Sequence, residues 1–431
     1  MPSPGLRRGL VAVTGLLLAI GVAVVVLVLV NSPSTHHRRA HVAPVAAPTP
    51  PPAPAPPPPK PKPKPRAART DHPWPLYGYN LARTRFFGDG ASFDPPLHVG
   101  WRFFDGALLE FPPVIYANTL YFEDENGWAR AVSSTNGHVL WRHRVGTLAA
   151  ASPALDIRHK LVIFVLLSTR PGARAPGDGA VVAVSMKTGR VAWSHALPAG
   201  SESSPLVHGL SVFLGDQRGT VYSFRTYDGH LNWNFQASGA VKGGVAFAHN
   251  TIYFGDYGAR VHAVNAANGG QIWSAGGGDS FYSTPAVAYG RVYIGSTSGA
   301  VYAFWANSGA TAWSASTGAY VYASPAVATV PGIGPTVYIG SYDGVFRAFD
   351  ANSGSLRWSH GAGGRIDGSA TVLGNVVYYS ALGGNRTAGL NVRTGRQVFS
   401  FPDGEFTPVI TDGKALFLIG YATIYQMLPR R

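Results

Sequence analysis

The sequence predicts an all-β protein, an eight-bladed β-propeller that is closed by pairing of its N- and C-terminal strands and preceded by one transmembrane helix. A repeated turn-and-tryptophan pattern predicts the blades, and an incomplete last repeat predicts the closure. An uncharged stretch of 21 residues near the N-terminus predicts the helix. The abundance of Gly (53) and Tyr (20) among 431 residues is typical of short strands and tight turns.

The repeat is the strongest signal in the chain. Seven times a turn residue, a glycine and three further residues lead to an aromatic side chain, and successive aromatics are 40, 52, 40, 40, 40, 45 and 41 residues apart. Each period contains four short apolar stretches separated by glycine turns, as in residues 283–314, and four strands per period make one propeller blade. We expect these aromatics to pack between blades: Trp101, Trp141, Trp193, Trp233, Trp273, Trp313, Trp358 and Phe399.

The last repeat, residues 407–427, lacks a fourth strand. The segment around Val99, Gly100 and Trp101 carries the matching aromatic without its own preceding turn, so it can supply that strand. One blade would then hold strands from both ends of the chain. Such closure removes the exposed sheet edges that otherwise promote aggregation.

The first seventy residues differ in kind from the rest. We expect residues 1–9 to be a short cytoplasmic tail, 10–30 a transmembrane signal-anchor, 31–70 a proline-rich basic linker, and 71–431 the propeller. At 1.5 Å per residue a helix over residues 10–30 spans a hydrocarbon core of about 30 Å. The flanking charges do not fix its orientation, because Arg7 and Arg8 precede it and Arg38 and Arg39 follow it.

Charge and cysteine content exclude several classes of function. Nine of the 35 Lys and Arg residues precede residue 71, so the propeller carries 35 − 9 = 26 basic against 21 acidic residues. This mild excess contains no basic stripe with interleaved aromatics, and we expect no nucleic-acid binding. The absence of Cys excludes disulfides, thiolate metal sites and a cysteine nucleophile.

The repeats resemble those of the quinoprotein-type propeller family, whose signature runs Ala-x-Asp-x-x-Thr-Gly-x-x-x-Trp. Ala348-Phe349-Asp350-Ala351-Asn352-Ser353-Gly354 with Trp358 matches it closely, and a segment from Trp74 to Arg85 is similar to the start of many members. The resemblance implies eight blades docked by the repeated Trp and a location outside the cytoplasm. The family includes dehydrogenases that use pyrroloquinoline quinone (PQQ) and non-catalytic members such as the propeller lipoprotein of the barrel-assembly machine. The chain resembles the latter more, since it lacks the adjacent Cys pair of many dehydrogenases and their long insertions.

One position in the repeat points to a site. The blades align on a Ser/Thr-Pro that opens the innermost strand, and three residues before the position of this Pro they carry Glu110, Ala150, Glu202, Lys242, Tyr282, Tyr322, Asp367 and Glu405. Innermost strands surround the central channel, so these side chains are expected to form a ring at one mouth. Carboxylates and tyrosines in a ring suit a cation, an amine or a basic peptide segment. Polar residues are also expected at any water-filled channel mouth, and that interpretation remains open.

These observations favour a membrane-anchored, extracytoplasmic propeller that acts as a non-catalytic binding or scaffold module for protein or cell-envelope partners. We expect a monomer in the cell membrane, crossing it once, with no catalytic residues, metal or cofactor. The alternatives are an oxidoreductase dependent on PQQ and calcium, and a wall-associated carbohydrate binder or sensor.

Overall fold

The computed structural model describes residues 72–88, 93–171, 177–406 and 409–430. The predicted cytoplasmic tail, signal-anchor and proline-rich linker lie outside these ranges. Among the described residues, no helix has both the length and the apolar character needed to cross a membrane.

The described residues form eight antiparallel sheets, and this confirms the predicted all-β, eight-bladed propeller. First strands of neighbouring blades contact each other around the central channel. In chain order, the strands are Val114–Tyr116, Thr119–Glu123, Trp128–Ser133 and Val139–Arg144 in blade 1; Ala154–Asp156, Leu161–Leu166, Gly179–Ser185 and Val191–Leu197 in blade 2; Leu206–His208, Ser211–Gly215, Thr220–Arg225 and Leu231–Gln236 in blade 3; Ala246–Ala248, Thr251–Gly255, Arg260–Asn265 and Gln271–Gly276 in blade 4; Ala286–Ala288, Arg291–Ser296, Ala300–Trp305 and Thr311–Ser316 in blade 5; Ala326–Val330, Gly334–Gly340, Val345–Asp350 and Leu356–Gly361 in blade 6; Thr371–Leu373, Val376–Ala381, Arg386–Asn391 and Gln397–Phe401 in blade 7; and Val409–Thr411, Leu416–Ile419, Thr423–Pro429 and Leu97–Phe104 in blade 8.

Blade 8 combines strands from both ends of the described chain. Leu97–Phe104 pairs antiparallel with Thr423–Pro429, with Phe103 opposite Ile424 and Phe104 opposite Thr423. The register shifts between Val99 and Trp101, as it does at the equivalent position beside the aromatic in other blades. The strand that carries Trp101 therefore occupies the fourth position of the last sheet.

The repeated tryptophans join neighbouring blades in one way. Each indole N–H donates to a backbone carbonyl of the following blade, as Trp313 does to Ala351 at 2.9 Å and Trp193 to Thr226 at 2.7 Å. The turn glycine of that blade lies on the indole ring. Gly354, for example, has a φ of +73°, and a Cβ added at this residue would lie only 2.7 Å from the Trp313 ring. Phe399 packs against Tyr378, but it has no N–H to donate.

A segment that precedes the blades crosses the channel. Residues 72–87, here called the channel segment, form backbone hydrogen bonds with the innermost strands of several blades. Its carbonyl groups accept from Leu155, Phe247, Val287, Val327 and Val372, which belong to blades 2, 4, 5, 6 and 7. Trp74 bridges to Ile115 of blade 1, and His72 donates to Asp412 of blade 8. At its end, Phe86–Phe87 adds a short parallel strand to Thr371–Leu373.

Two arginines anchor the channel segment. Arg83 is fully buried and donates to the carbonyl oxygens of Val245 at 2.8 Å, Ser204 at 2.9 Å and Pro205 at 3.0 Å, and also to Tyr77. Burial, and then the neighbouring Arg85, lower the pKa of Arg83 to about 9. Arg85 lies over the Tyr77 ring at 4.5 Å. Arg83 thereby ties blades 3 and 4 to the segment that crosses beneath them.

Candidate functional site

A cavity lies where the innermost strands begin. Residues of seven blades and one residue of the channel segment, Tyr77, line it. The Tyr77 hydroxyl lies 2.6 Å from the Ser369 hydroxyl. Because the channel segment hydrogen-bonds to the innermost strands farther along the channel, Tyr77 forms part of the cavity floor.

Most of the ring predicted from the repeat lines this cavity. The lining includes Glu110, Glu202, Lys242, Tyr282, Tyr322 and Asp367. Ala150 and Glu405, the remaining members of the predicted ring, are not part of it.

Blade 8 departs from the repeat at this position. Gly404 has a φ of +123°, which only glycine adopts easily, and Asp403 is held by the Tyr421 backbone N–H and the Tyr425 hydroxyl. The backbone of Phe406 then packs closely on Gly368, and Phe406 lines the cavity in place of Glu405. Phe406 holds the place that Phe111 has in blade 1, and both line the cavity, so blade 8 differs in that its ring-position residue, Glu405, is absent from the lining.

Hydrogen bonds between blades hold the ring positions in register. Backbone N–H groups donate to the hydroxyl of the residue at the same place in the next blade: Gly244 to Thr284 at 2.8 Å, Thr284 to Ser324 at 3.0 Å, and Ser324 to Ser369 at 2.9 Å. The Ser/Thr that opens the innermost strands of blades 5, 6 and 7 thus links neighbouring blades just below the ring. This explains why residues about 40 positions apart in sequence meet around one cavity.

One half of the cavity is organised around Glu202, whose side chain is 10 % exposed. Its Oε1 accepts from the Lys242 ammonium at 3.0 Å and from Gln217 at 3.0 Å, and its Oε2 accepts from the Tyr282 hydroxyl at 3.2 Å. The ammonium also lies 5.1 Å from the ring centroid of Tyr257 and 5.9 Å from that of Tyr282. The carboxylate and two aromatic rings therefore stabilise a half-buried cation together.

The opposite half is organised around Asp367. The rings of Tyr322 and Tyr342 meet nearly at a right angle, with centroids 4.9 Å apart, and Tyr322 also contacts Tyr282 at 5.2 Å. Burial raises the pKa of Asp367, and a hydrogen bond with Tyr342 opposes that rise. No Lys, Arg or His side chain of the described residues forms an ion pair with Asp367 or with Glu110.

Glu110 completes the negative side of the cavity. Burial first, and then the charges of Glu202, Asp367 and Glu125, raise its pKa to about 7. Its neighbours are mostly acids, so the lining carries three carboxyl groups against one ammonium. A second positive charge in the cavity would relieve this repulsion.

Tyr257 and Tyr342 are site residues that the repeat analysis missed. Both follow the second strand of their blades, two residues after Gly255 and Gly340, and Gln217 holds the equivalent place after Gly215. A second alignment on those glycines would have found them. Tyr77 gives no such signal, because it belongs to the channel segment rather than to a repeat.

The chemistry available in the cavity is limited to carboxyl, phenol, hydroxyl and ammonium groups. No histidine lines it. Across the described ranges, no group of three or more His, Asp or Glu side chains is placed to hold a metal ion. The arrangement is suited to electrostatic and aromatic recognition of a positively charged group.

Comparison with solved structures identifies the same architecture in proteins of different function. The crystal structure of BamB from Moraxella catarrhalis is 18% identical, with a TM-score of 0.63 over 78% of this chain and 99% of that chain. The quinohemoprotein alcohol dehydrogenase of Comamonas testosteroni is 14% identical, with a TM-score of 0.66 over 85% of this chain and 82% of that chain. A computationally designed protein, Ika8, is 13% identical, with a TM-score of 0.63 over 75% of this chain and 96% of that chain. At these identities the likeness shows the fold alone.

The comparison of sequences identifies the family more specifically than the structural likeness does. No curated protein matches the chain. A family model does match, over residues 99–211, 125–243 and 217–421, and its description is outer membrane protein assembly factor BamB. These matches span most of the propeller, including both halves of the cavity, so the chain belongs to this family of PQQ-type propellers.

Proposed function

We propose that this protein is a non-catalytic binding and scaffold module of the cell envelope, and that the acidic, tyrosine-lined cavity is where it binds its partner. In this proposal residues 10–30 anchor the chain in the cell membrane, with the propeller outside the cytoplasm. Pairing of Leu97–Phe104 with Thr423–Pro429 closes the ring of blades in a monomer. The observation that carries the proposal is the cavity: buried acids with too few cations, and no histidine among the residues that line it. The description of its family, an assembly factor, supports a protein partner.

The alternative of a PQQ-dependent oxidoreductase is less consistent with the lining. PQQ carries three carboxylates, and a buried site for it needs cationic partners. Here Glu110, Glu202 and Asp367 surround one ammonium, Lys242, which Glu202 already neutralises. This lining therefore supports the scaffold function over a site for that cofactor.

A calorimetric titration separates the two functions. Full-length protein in detergent is titrated with PQQ and calcium chloride, with Glu202→Ala as the control variant. We expect no saturable heat from either protein. Saturable binding that the substitution abolishes would overturn the proposal and assign a quinone site to the cavity.

Photo-crosslinking in living cells tests the partner directly. A photoreactive phenylalanine analogue replaces Phe111, which lines the cavity, or Leu356, which is 55% exposed on the outer strand of blade 6. We expect a discrete adduct from position 111 alone, lost when Asp367→Asn is added. No adduct, or the same adduct from both positions, contradicts the proposal.

The location can be tested because the chain contains no Cys. Asn307→Cys introduces a thiol on an exposed turn of blade 5, and Ser3→Cys introduces one in the predicted cytoplasmic tail. A membrane-impermeant maleimide added to intact cells is expected to label position 307 and not position 3. The reverse pattern would place the propeller in the cytoplasm.

A further inference from the structure

The two halves of the cavity are built from the same two places in the repeat. In one half, Lys242 at the ring position and Tyr257 at the hairpin turn belong to blade 4, and Glu202 comes from blade 3. In the other half, Tyr322 at the ring position and Tyr342 at the hairpin turn belong to blade 6, and Asp367 comes from blade 7. Each half therefore combines one carboxyl group with two tyrosine rings. These are Tyr257 and Tyr282 in the Glu202 half, and Tyr322 and Tyr342 in the Asp367 half.

The halves differ in one respect. The Glu202 half contains the ammonium of Lys242, which the carboxylate and the rings of Tyr257 and Tyr282 hold. The Asp367 half has no lysine. Its nearest cationic neighbour is Arg365, an exposed side chain that lies 5.8 Å from the Tyr342 ring and forms no ion pair with Asp367.

We infer that the Asp367 half binds a primary ammonium group of a ligand, between the Asp367 carboxylate and the rings of Tyr322 and Tyr342. This inference rests on the proposed function, because it names the chemical group that the cavity recognises. Lys242 serves as a template within the same cavity: the chain already places one ammonium against one carboxylate and two phenol rings. Glu110 adds a second carboxyl group with no ion pair, so a bound cation would balance the charge of the lining.

The geometry favours an ammonium over a guanidinium or a metal ion. An ammonium is a compact charge with three rotatable donors, whereas a guanidinium binds best to a carboxylate that offers both oxygens in one plane. Among the described residues no metal-binding cluster exists.

The test is a calorimetric titration of full-length protein in detergent at pH 8. Cadaverine represents a free amine, N-acetyl-lysine methylamide represents a lysine side chain, and 1-pentanol is the neutral control. We expect saturable one-site binding of the amines and none of pentanol. Asp367→Asn is expected to weaken binding at least about tenfold, since it removes one partner of a buried charge pair.

A matched control keeps the test independent of stability. Asp178→Asn makes the same chemical change at a surface carboxylate that pairs with Arg170 and is 58% exposed. It is expected to bind the amines as the unmodified chain does. The thermal unfolding temperatures of both variants establish that they are folded.

The outcomes separate this inference from the proposed function. Binding of either amine, lost in Asp367→Asn alone, supports it, and preference for N-acetyl-lysine methylamide identifies a lysine side chain as the source. No binding, equal binding by Asp367→Asn, or tighter binding of N-acetyl-arginine methylamide, titrated in the same way, than of N-acetyl-lysine methylamide overturns it. If the inference fails while the adduct at position 111 persists, the scaffold function stands with a different ligand chemistry.

Discussion

The blade junctions and the cavity are built from the same repeat, yet one is uniform and the other is not. At the junctions, seven tryptophans donate to the next blade, and seven turn glycines with φ between +68° and +75° pack on their rings. At the ring position, the same repeat carries acids, a lysine and tyrosines. The comparison shows that this propeller keeps the same chemistry at its blade junctions and varies it at its centre, where six of the eight equivalent positions line one cavity.

Removing a junction should have the largest effect. Trp313→Ala deletes a buried indole and removes one of the two donors to the Ala351 carbonyl, leaving only the Tyr293 hydroxyl. Truncations of this kind cost about 3–5 kcal/mol of the free energy of unfolding, so we expect a clear drop in the midpoint of chemical denaturation. Phe399→Leu, at the one junction without an indole hydrogen bond, should cost much less. Equal losses would show that the hydrogen bond and indole packing are unimportant.

A substitution in the channel segment should cause the second largest loss of stability. Arg83→Met keeps much of the side-chain volume but leaves the carbonyls of Val245, Ser204 and Pro205 without that donor. Buried acceptors left without a partner cost about 1–3 kcal/mol each, and part of this is offset by no longer burying a guanidinium. Denaturant titration of the full chain measures the loss. A variant as stable as the parent would mean that the backbone bonds alone hold the segment.

Glu110 links the centre of the propeller to pH. Its pKa is raised to about 7 by burial and by Glu202, Asp367 and Glu125, with Lys242 also in the cavity. The folded state therefore holds a proton that the unfolded chain releases near pH 4.5, and stability falls as pH rises between these values. Relative to Glu110→Gln, the unmodified chain should lose on the order of 1–3 kcal/mol from pH 5 to 8. Parallel pH profiles of the two proteins would exclude this role.

Replacement of Lys242 should change the free energy of unfolding least, and its clearest effect should be on the binding of amines. Lys242→Met removes a partly exposed ion pair, worth about 1 kcal/mol or less. It also frees Glu202, so both halves of the cavity should then accept an amine, and the calorimetric stoichiometry should rise from one to two. An unchanged stoichiometry would contradict the equivalence of the two halves.

Sequence reasoning succeeded where the repeat carried the information. The junction aromatics and six ring residues could be found because they recur at fixed distances from a turn glycine or from the place of a strand-opening proline: Glu110, Glu202, Lys242, Tyr282, Tyr322 and Asp367. Sequence reasoning also placed Glu405 in the ring, but in blade 8 the left-handed Gly404 and the anchored Asp403 precede it, and Phe406 lines the cavity while Glu405 does not. It missed Tyr257 and Tyr342 because only one alignment point per blade was used. It could not find the role of Tyr77 or Arg83, since the channel segment has no periodicity and its partners are distributed over the whole ring.

The channel segment also affects how the propeller unfolds. In linear repeat arrays each unit interacts only with its neighbours, so units can unravel one after another. Here residues 72–87 form backbone hydrogen bonds with the innermost strands of nonadjacent blades at the same time. Loss of a single blade would strain bonds on the opposite side, so frayed intermediates are disfavoured and the denaturant transition should be steep, with a slope that reflects the whole propeller.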